Sequence, residues 1–330
     1  MSAQALRALA ILGPTGAGKS QYALALADEL PIEIISVDSA QVYRGLDIGT
    51  AKPTAAERAA VPHHLIDIRA PEAVYSAGEF RRDALDLIAA INGRGRLPVL
   101  VGGTMLYYRA LFQGIAELPQ ADAAVRADID ARATRLGWPA LHAELARLDP
   151  QAGRRIHVND AQRIQRALEV QALGGESLTT LWQQAAAASP AVAYRVCVLE
   201  PTSRAELHAR LEGRLQAMLA AGFVEEVRHL LARGTLGPTS PALRLVGYRQ
   251  LSAYCEGRES LTEAQQKALF ATRQLAKRQL TWLRSPQLYP SGNRPLRFDP
   301  LAPDSPELFR VAALETWSFA PDPGLGPVRA

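Results

Sequence analysis

The chain has 330 residues, 48% hydrophobic and 21% charged, with a mean hydropathy of −0.06. That suffices for one large domain plus a smaller one, and no apolar run approaches the ~18 residues of a membrane span, so no membrane partner and a cytosolic location are expected. The net charge of +4 is too small to argue for nucleic acid by itself, and Cys197 and Cys255 belong to no C-x-x-C or Cys/His cluster, which argues against structural zinc.

The first twelve residues lack a hydrophobic region long enough for a signal peptide. Leu9 to Leu12 reads as a short buried strand, and Gln21 to Leu30, with Leu24, Leu26 and Leu30 among alanines, reads as a helix. Between them lies Gly13-Pro14-Thr15-Gly16-Ala17-Gly18-Lys19-Ser20, which fits the Walker A pattern. A plain glycine turn is the alternative. A glycine-rich turn from strand to helix lets backbone N–H groups converge on a phosphate, and the helix N-terminus adds its positive end. Lys19 supplies a mobile charge for the terminal phosphate, and the Ser20 hydroxyl suits a magnesium ion. A diphosphate or triphosphate is therefore expected here.

Ile32 to Val37 is a β-branched run ending in Asp38-Ser39-Ala40-Gln41, so a second strand delivers a carboxylate to the phosphate-loop edge of the sheet. Asp38 reads equally as a cap of the next helix. His64 to Ile68 suggests a third short strand; adjacent His63 and His64 would face opposite ways and need bind no metal. Ser76 and Glu79 have capping-box spacing and open a helix through Asn92, stopped by Gly93. Leu97 to Val101 reads as a buried strand ending in Gly102-Gly103-Thr104, where paired glycines admit close approach of a ligand, before a helix from Met105 to Phe112.

From about Pro119 to Pro190 strand runs vanish and helical stretches follow. Val125, Ile129 and Leu136 share one face; Leu141, Leu145 and Leu148 share another; Asn159 and Asp160 cap a third helix carrying Ile164, Ala167 and Leu168. Eight arginines balance eight acids here, yet Arg154, Arg155, Arg163 and Arg166 bunch together, as a solvated face also would. Tyr194 to Glu200 returns to strand, Ser203 and Glu206 open a helix containing Arg210 and Arg214, and a last long helix spans Thr262 to Arg284. Between Ala242 and Arg284 cations exceed acids by five. Residues 285–330 hold nine of the 22 prolines and, apart from a helix after Ser305-Pro306, are expected to be loosely structured. The fold class is α/β: a P-loop NTPase-like parallel sheet flanked by helices, with an all-helical insertion. The expected boundaries are 1–117 and 191–300 for a discontinuous core, 118–190 for the insertion, and 301–330 for a short helix and flexible tail. From fold alone a small-molecule kinase would be the default, but no arginine-rich lid motif is evident.

These segments carry a resemblance to the bacterial tRNA dimethylallyltransferases, also called isopentenyl-diphosphate:tRNA transferases. The matching pieces are G-P-T-G-A-G-K-S at 13–20, D-S-A-Q-V-Y-R-G-L-D-I-G-T-A-K-P at 38–53, H-H-L-I-D at 63–67 and G-G-T-M-L-Y at 102–107. R-I-H-V-N-D-A-Q-R-I-Q-R-A-L-E-V at 155–170, G-Y-R at 247–249 and T-R-Q-L-A-K-R-Q-L-T-W-L-R at 272–284 complete the set. Val158 stands where the family usually has proline, and Gly16-Ala17 where alanine-serine is common.

The resemblance implies prenyl transfer from dimethylallyl diphosphate to N6 of the adenine immediately 3′ of a tRNA anticodon. Asp38 would be the base; Gly13 to Ser20, with Thr15, Lys19, Arg214 and a magnesium ion at Ser20, would hold the diphosphate. Gln41 and Thr104 would line the adenine pocket, with Ser39 and Ala40 beside them. The insertion would grip the anticodon stem through Arg126 and Gln162, Arg163, Ile164, Gln165 and Arg166. Further RNA contacts are implied at Arg244, Leu245, Val246, Gly247, Tyr248 and Arg249, and at Lys277, Arg278, Gln279, Leu280, Thr281, Trp282, Leu283 and Arg284. A monomer using Mg2+ is expected. Two other readings are a P-loop kinase consuming ATP and a non-catalytic RNA-binding P-loop protein, in which Asp38 would have no task.

Overall fold

The computed structural model describes residues 6–114, 118–119, 122–175, 177–181, 192–237, 240–290 and 292–318. Its chain divides into two units, one of residues 1–112 and 191–330 and the other of residues 113–190. Among the described residues, no helix is long and apolar enough to cross a membrane.

The first unit is built on six strands: β1 (Leu6–Leu12), β2 (Ile32–Val37), β3 (His63–His64), β4 (Leu97–Gly102), β5 (Val192–Leu199) and β6 (Leu296–Phe298). They pair in the order β3-β2-β4-β1-β5-β6, every pair parallel. β4 is an unbroken apolar run, and β1 and β2 are apolar apart from Arg7 and from Glu33 and Ser36, because both faces of a parallel sheet are covered. Alternation along β1 shows it: Ala8, Ala10 and Leu12 join one core with Phe80 and Phe223, while Leu9 and Ile11 join another with Leu26 and Phe309. Leu12 lies opposite Gly102, and Gly102 opposite Val37, so the three central strands end level.

The first helix, α1 (Lys19–Ala25), begins inside the phosphate motif and tightens into a 3-10 turn over Leu26–Asp28, shorter than the expected 21–30. Pro31 disfavours helical geometry before it, so the chain turns early into β2. A short helix α2 (Ala55–Ala60) follows, and α3 (Ala77–Gly93) carries the expected capping box at Ser76 and Glu79. The strand expected over His64 to Ile68 is confined to His63–His64, because Leu65 (φ 61°) and Asp67 (φ 58°) are left-handed. The Asp67 carboxylate is drawn instead to Lys52 at 2.6 Å and Arg58 at 2.8 Å, and the loop pairs with the segment after Asp38 through Arg69 N–H to the Val42 carbonyl. After α4 (Met105–Gln113) the chain enters the second unit.

That unit holds α5 (Ala123–Leu136), α6 (Trp138–Leu148), α7 (Pro150–Arg155) and α8 (Ala161–Gly174) around Ile129, Leu141, Leu145, Ile164 and Leu168. Leu136 and Leu148, expected on apolar faces, are exposed at the helix ends. The fully buried Glu169 binds Arg126 at 2.9 Å and Arg166 at 2.6 Å, which hold its carboxyl below the usual range against the cost of burial.

Back in the first unit come α9 (Arg204–Ala220), α10 (Phe223–Ala232), α11 (Tyr248–Cys255) and α12 (Leu261–Leu283). Ser203 caps α9 by accepting the Glu206 N–H. The region after 285 is more ordered than its prolines suggest. β6 adds a strand to β5, and α13 (Ser305–Ser318) places Phe309 edge-on against Tyr22 with ring centroids 5.0 Å apart. A three-residue strand offers no period to read. Residues 319–330, part of the expected tail, lie outside the described residues.

The 47–52 segment is fastened from α10. The N–H groups of Asp47, Ile48 and Gly49 donate to the Glu226 carboxylate at 2.7, 2.7 and 3.0 Å, and the Tyr248 hydroxyl donates to it at 2.6 Å. A Cβ at Gly49 would fall 2.1 Å from Phe223 Cε2 and 2.7 Å from Tyr248 Cε2, and both rings are buried. Gly49→Ala should therefore destabilise the fold by about 2–3 kcal/mol through overpacking. Urea unfolding checks this, and an unchanged midpoint would mean the rings can move aside.

Candidate active site

The phosphate motif is shaped by its own glycines and by β5. Gly16 (φ 81°) and Gly18 (φ 79°) adopt the left-handed conformation that side chains disfavour. A Cβ at Gly13 would sit 2.8 Å from the Leu199 carbonyl oxygen, so that strand end closes on the loop. The Gln21 and Tyr22 N–H groups donate to the Gly18 carbonyl at 2.9 and 3.3 Å, while those of Lys19 and Ser20, first in α1, have no acceptor within the helix and suit an anion. Lys19 Nζ donates to the Pro14 carbonyl at 2.8 Å, folding back over the loop.

The loop forms one wall of a cleft of about 1140 Å³. Asp38 to Gln41 and Gly102 to Thr104 form the next walls, at the level ends of β2 and β4. Arg210, Arg214, Arg244 to Tyr248, Arg278, Gln279 and Trp282 complete it. Among the described lining residues Asp38 is the one carboxylate, and it shares the cleft with five cations: Lys19, Arg210, Arg214, Arg244 and Arg278. Burial pushes the Lys19 ammonium down to about 8 and neighbouring Arg214 pushes the same way, against an opposing pull from Asp38. Arg214 is likewise lowered by burial and supported by Asp38. Two desolvated cations and one carboxylate therefore interact across this floor.

Asp38 Oδ1 accepts the Ala40 N–H at 2.8 Å and so closes a local turn, but the expected helix cap is not found: the next helix is α2, and Thr54 caps it. Thr104 Oγ1 accepts the Ser39 N–H at 3.0 Å, tying the two strand ends together. Gln41 accepts from Ser36 Oγ at 2.9 Å and donates to the Thr50 and Ala51 carbonyls at 3.3 and 3.2 Å. Its amide protons are thus committed to backbone, and what it can offer a ligand is a remaining lone pair.

Among the described residues no group of three or more His, Cys, Asp or Glu could hold a metal alone. The exposed Ser20 hydroxyl and the Asp38 carboxylate line the cleft and supply the hard oxygen donors that Mg2+ accepts when most of its shell is phosphate and water. The residues present fit a metal that arrives with its phosphate ligand.

Several residues expected to touch RNA turn inward. Ile164, Tyr248 and Leu283 are fully buried core residues, and Gln279 is 8% exposed. Half-buried Leu280 packs against the core. Arg126 and Arg166 are held by Glu169, and Arg284 pairs with Glu200 at 2.7 Å. Gln162, Arg163, Arg244, Arg249, Lys277, Arg278 and Thr281 are exposed, while Gln165 donates to Asp130 at 2.6 Å. Gln279 was legible as a core position, since it lies in helical phase with Ala268, Ala276 and Leu283 on the buried face of α12. Glu226 went unread; its place between buried Phe223, Val227 and Leu230 was the available signal.

The model of the IPP transferase family matches residues 41–286. The chain belongs to this family. Similar proteins include a tRNA dimethylallyltransferase from Bordetella pertussis, 59% identical over 279 residues, 84% of this chain and 89% of the relative. One from Aromatoleum aromaticum is 56% identical over 306 residues, 93% and 95% of the two chains. The solved tRNA isopentenylpyrophosphate transferase of Bacillus halodurans is 35% identical, with a TM-score of 0.68 over 95% of this chain and 97% of that one. A eukaryotic dimethylallyltransferase acting on tRNA is 25% identical, with a TM-score of 0.80 over 94% of this chain and 78% of its own. The family match begins after the phosphate loop, which therefore rests on the motif and its geometry.

The Lys19 environment sets a pH dependence for this IPP transferase. Below about pH 8 the ammonium is present in the free site; above it, a ligand must recharge Lys19 at the expense of affinity. Affinity for a diphosphate monoester, already fully ionised in that range, should fall towards tenfold per pH unit above about 8, with proton uptake on binding. Lys19→Arg should flatten the profile, because a guanidinium keeps its proton. Folding stability has the opposite sign: the folded pKa lies below the model-peptide 10.5, so the ligand-free protein should gain stability as pH rises through that window. Titration calorimetry in buffers of different ionisation enthalpy checks the uptake, and a wild-type profile as flat as that of Lys19→Arg would overturn it.

Proposed function

We propose that this protein transfers a dimethylallyl group from dimethylallyl diphosphate to N6 of the adenine immediately 3′ of the anticodon in tRNA, releasing diphosphate. The observation that carries this reading is Asp38, one carboxylate opposite desolvated Lys19 and Arg214 in a cleft shared with a phosphate loop. Membership of the IPP transferase family supports it, as do relatives named for this reaction.

The adenine amine is a weak nucleophile because its lone pair is delocalised into the ring. Transfer needs charge neutralised on the leaving group and a base for the amine proton. The bond between C1 of the dimethylallyl group and the diphosphate oxygen breaks, and the electron pair leaves with the oxygen towards Thr15, Lys19, Arg214 and the amides of Gly16 to Ser20. The new bond joins C1 to N6, and the N6 proton passes to the Asp38 carboxylate. Mg2+ bound beside Ser20 would add positive charge to the departing diphosphate. Met218, Leu245 and Trp282 give the cleft an apolar wall for the hydrocarbon. The adenine must leave its stack to reach Asp38, and this reading assigns its recognition to Thr104 and the remaining lone pair of Gln41, both of which line the cleft. Lys277 and Arg278 on α12, and Arg244 and Arg249 around α11, are exposed and suited to phosphate contacts. In the helical unit Gln162 and Arg163 are the exposed counterparts.

Asp38→Asn tests the base. Asparagine Oδ1 can still accept the Ala40 N–H, so the turn and the melting temperature should survive. An amide does not take the proton, and single-turnover transfer with both substrates saturating should fall by about 10²–10⁴. Transfer above about a tenth of the wild-type rate would leave Asp38 as a turn-closing residue alone. ATP turnover by the wild type with no label on tRNA would instead favour a kinase.

The RNA surface has its own test. Replacing Lys277 and Arg278 together with Ala should weaken tRNA binding and reduce the slope of log K against log salt by roughly 1 to 2. A slope equal to that of the wild type would leave them as a solvated helix face.

A further inference from the structure

Gln279 joins two walls of the cleft through a single amide. Its neighbours Lys277 and Arg278 are exposed, while Gln279 itself turns inward. Its Oε1 accepts the Thr15 N–H at 2.9 Å and its Nε2 donates to the Gly103 carbonyl at 2.8 Å. The approach is close: a Cβ at Gly103 would lie 2.5 Å from Nε2. Gly103 precedes Thr104, whose hydroxyl accepts the Ser39 N–H beside Asp38. A run of contacts thus leads from the diphosphate loop at Thr15, through Gln279, to the strand end that carries the base.

We propose that Gln279 is a positioning residue that fixes the phosphate loop relative to the Gly103–Thr104 loop, and so sets the separation of the reacting carbon and the accepting amine. This rests on the transferase reading above. The amide suits the task because it offers one acceptor and one donor in a rigid plane, matched to one N–H and one carbonyl on separate loops. An apolar side chain of the same length fills the space and leaves both backbone groups without that partner, so each loop can still bind its own ligand but relaxes independently. A displacement of about 1 Å between reacting groups costs on the order of 10²-fold in rate. The Gln279 amide is engaged at both ends with backbone, so its loss should appear in the chemical step and not in either binding step.

The experiment compares wild type, Gln279→Met, Gln279→Glu, Gln279→Ser, Gly103→Ala and the Gly103→Ala/Gln279→Ser double variant. Single-turnover dimethylallyl transfer to tRNA, the Kd for dimethylallyl diphosphate, the Kd for tRNA and a melting curve are measured for each. Gln279→Met should lose about 10- to 100-fold in transfer at saturation, while each Kd moves less than about threefold. Gln279→Glu keeps the shape and the Thr15 contact, and carries the test if the Met variant melts early; it should lose transfer with tRNA affinity retained. Gly103→Ala should reproduce the Met defect and add little on top of Gln279→Ser, because both act on one contact. Transfer within about twofold of wild type in Gln279→Met and Gln279→Glu would overturn the proposal. So would a loss lying mainly in tRNA affinity, which would make Gln279 an RNA contact, or full additivity of the double variant. A wild type that transfers nothing would remove the transferase reading itself, a result distinct from either.

Discussion

Leu12, Val37 and Gly102 stand abreast at the ends of three parallel strands, and the cleft depends on that register. It is enforced sterically at Gly102, where a Cβ would lie 2.0 Å from the Val37 carbonyl oxygen. The next residues along the three chains are Gly13, Asp38 and Gly103. A slip by one residue would exchange the faces of a strand buried on both sides and withdraw Asp38 from the loop. The register that packs the core thus also assembles the phosphate loop, a carboxylate and the second glycine pair at one edge.

Around that edge the side chains are held by neighbours more than by the strands themselves. The 47–52 segment hangs on Glu226 and Tyr248, and its Thr50 and Ala51 carbonyls hold Gln41. Lys52, almost wholly buried, reaches the Tyr43 carbonyl, Asp47 and Asp67, closing the same segment from the other side. This explains why a long polar block can follow a buried strand: its charges are paired across loops. Burying Lys52 without those carboxylates would leave an unpaired ammonium, at a cost of several kcal/mol.

Much of this was legible in the sequence because short-range chemistry decides it. The phosphate loop announces itself through glycine spacing, α3 through its capping box, β2 through a β-branched run and β4 through an unbroken apolar one. What was not legible depends on partners far away in sequence. Asp67 bends its loop out of strand geometry to reach Lys52 and Arg58, β6 exists because β5 offers an edge, and the helical phase that buries Gln279 does not say which two loops its amide joins. In the cleft, Lys19 and Ser20 came from local pattern. Asp38 needed the register, and Arg210 needed α9 to be placed beside the loop before it could count as lining the cleft.

The helical unit shows why counting arginines misleads. Arg126 and Arg166 look like two free cations, yet both answer to Glu169, whose carboxylate would be prohibitive to bury alone. The pairing also fixes the forks. Arg126 uses Nε and Nη2 on Glu169, at 2.9 and 3.2 Å, and its side chain remains 43% exposed. A guanidinium has five N–H donors in one plane, so those not used on Glu169 are held in a fixed orientation. A lysine there would supply the charge without that fork, and a free arginine would have to lose more side-chain entropy on binding. The buried carboxylate is then what converts a flexible cation into an oriented one.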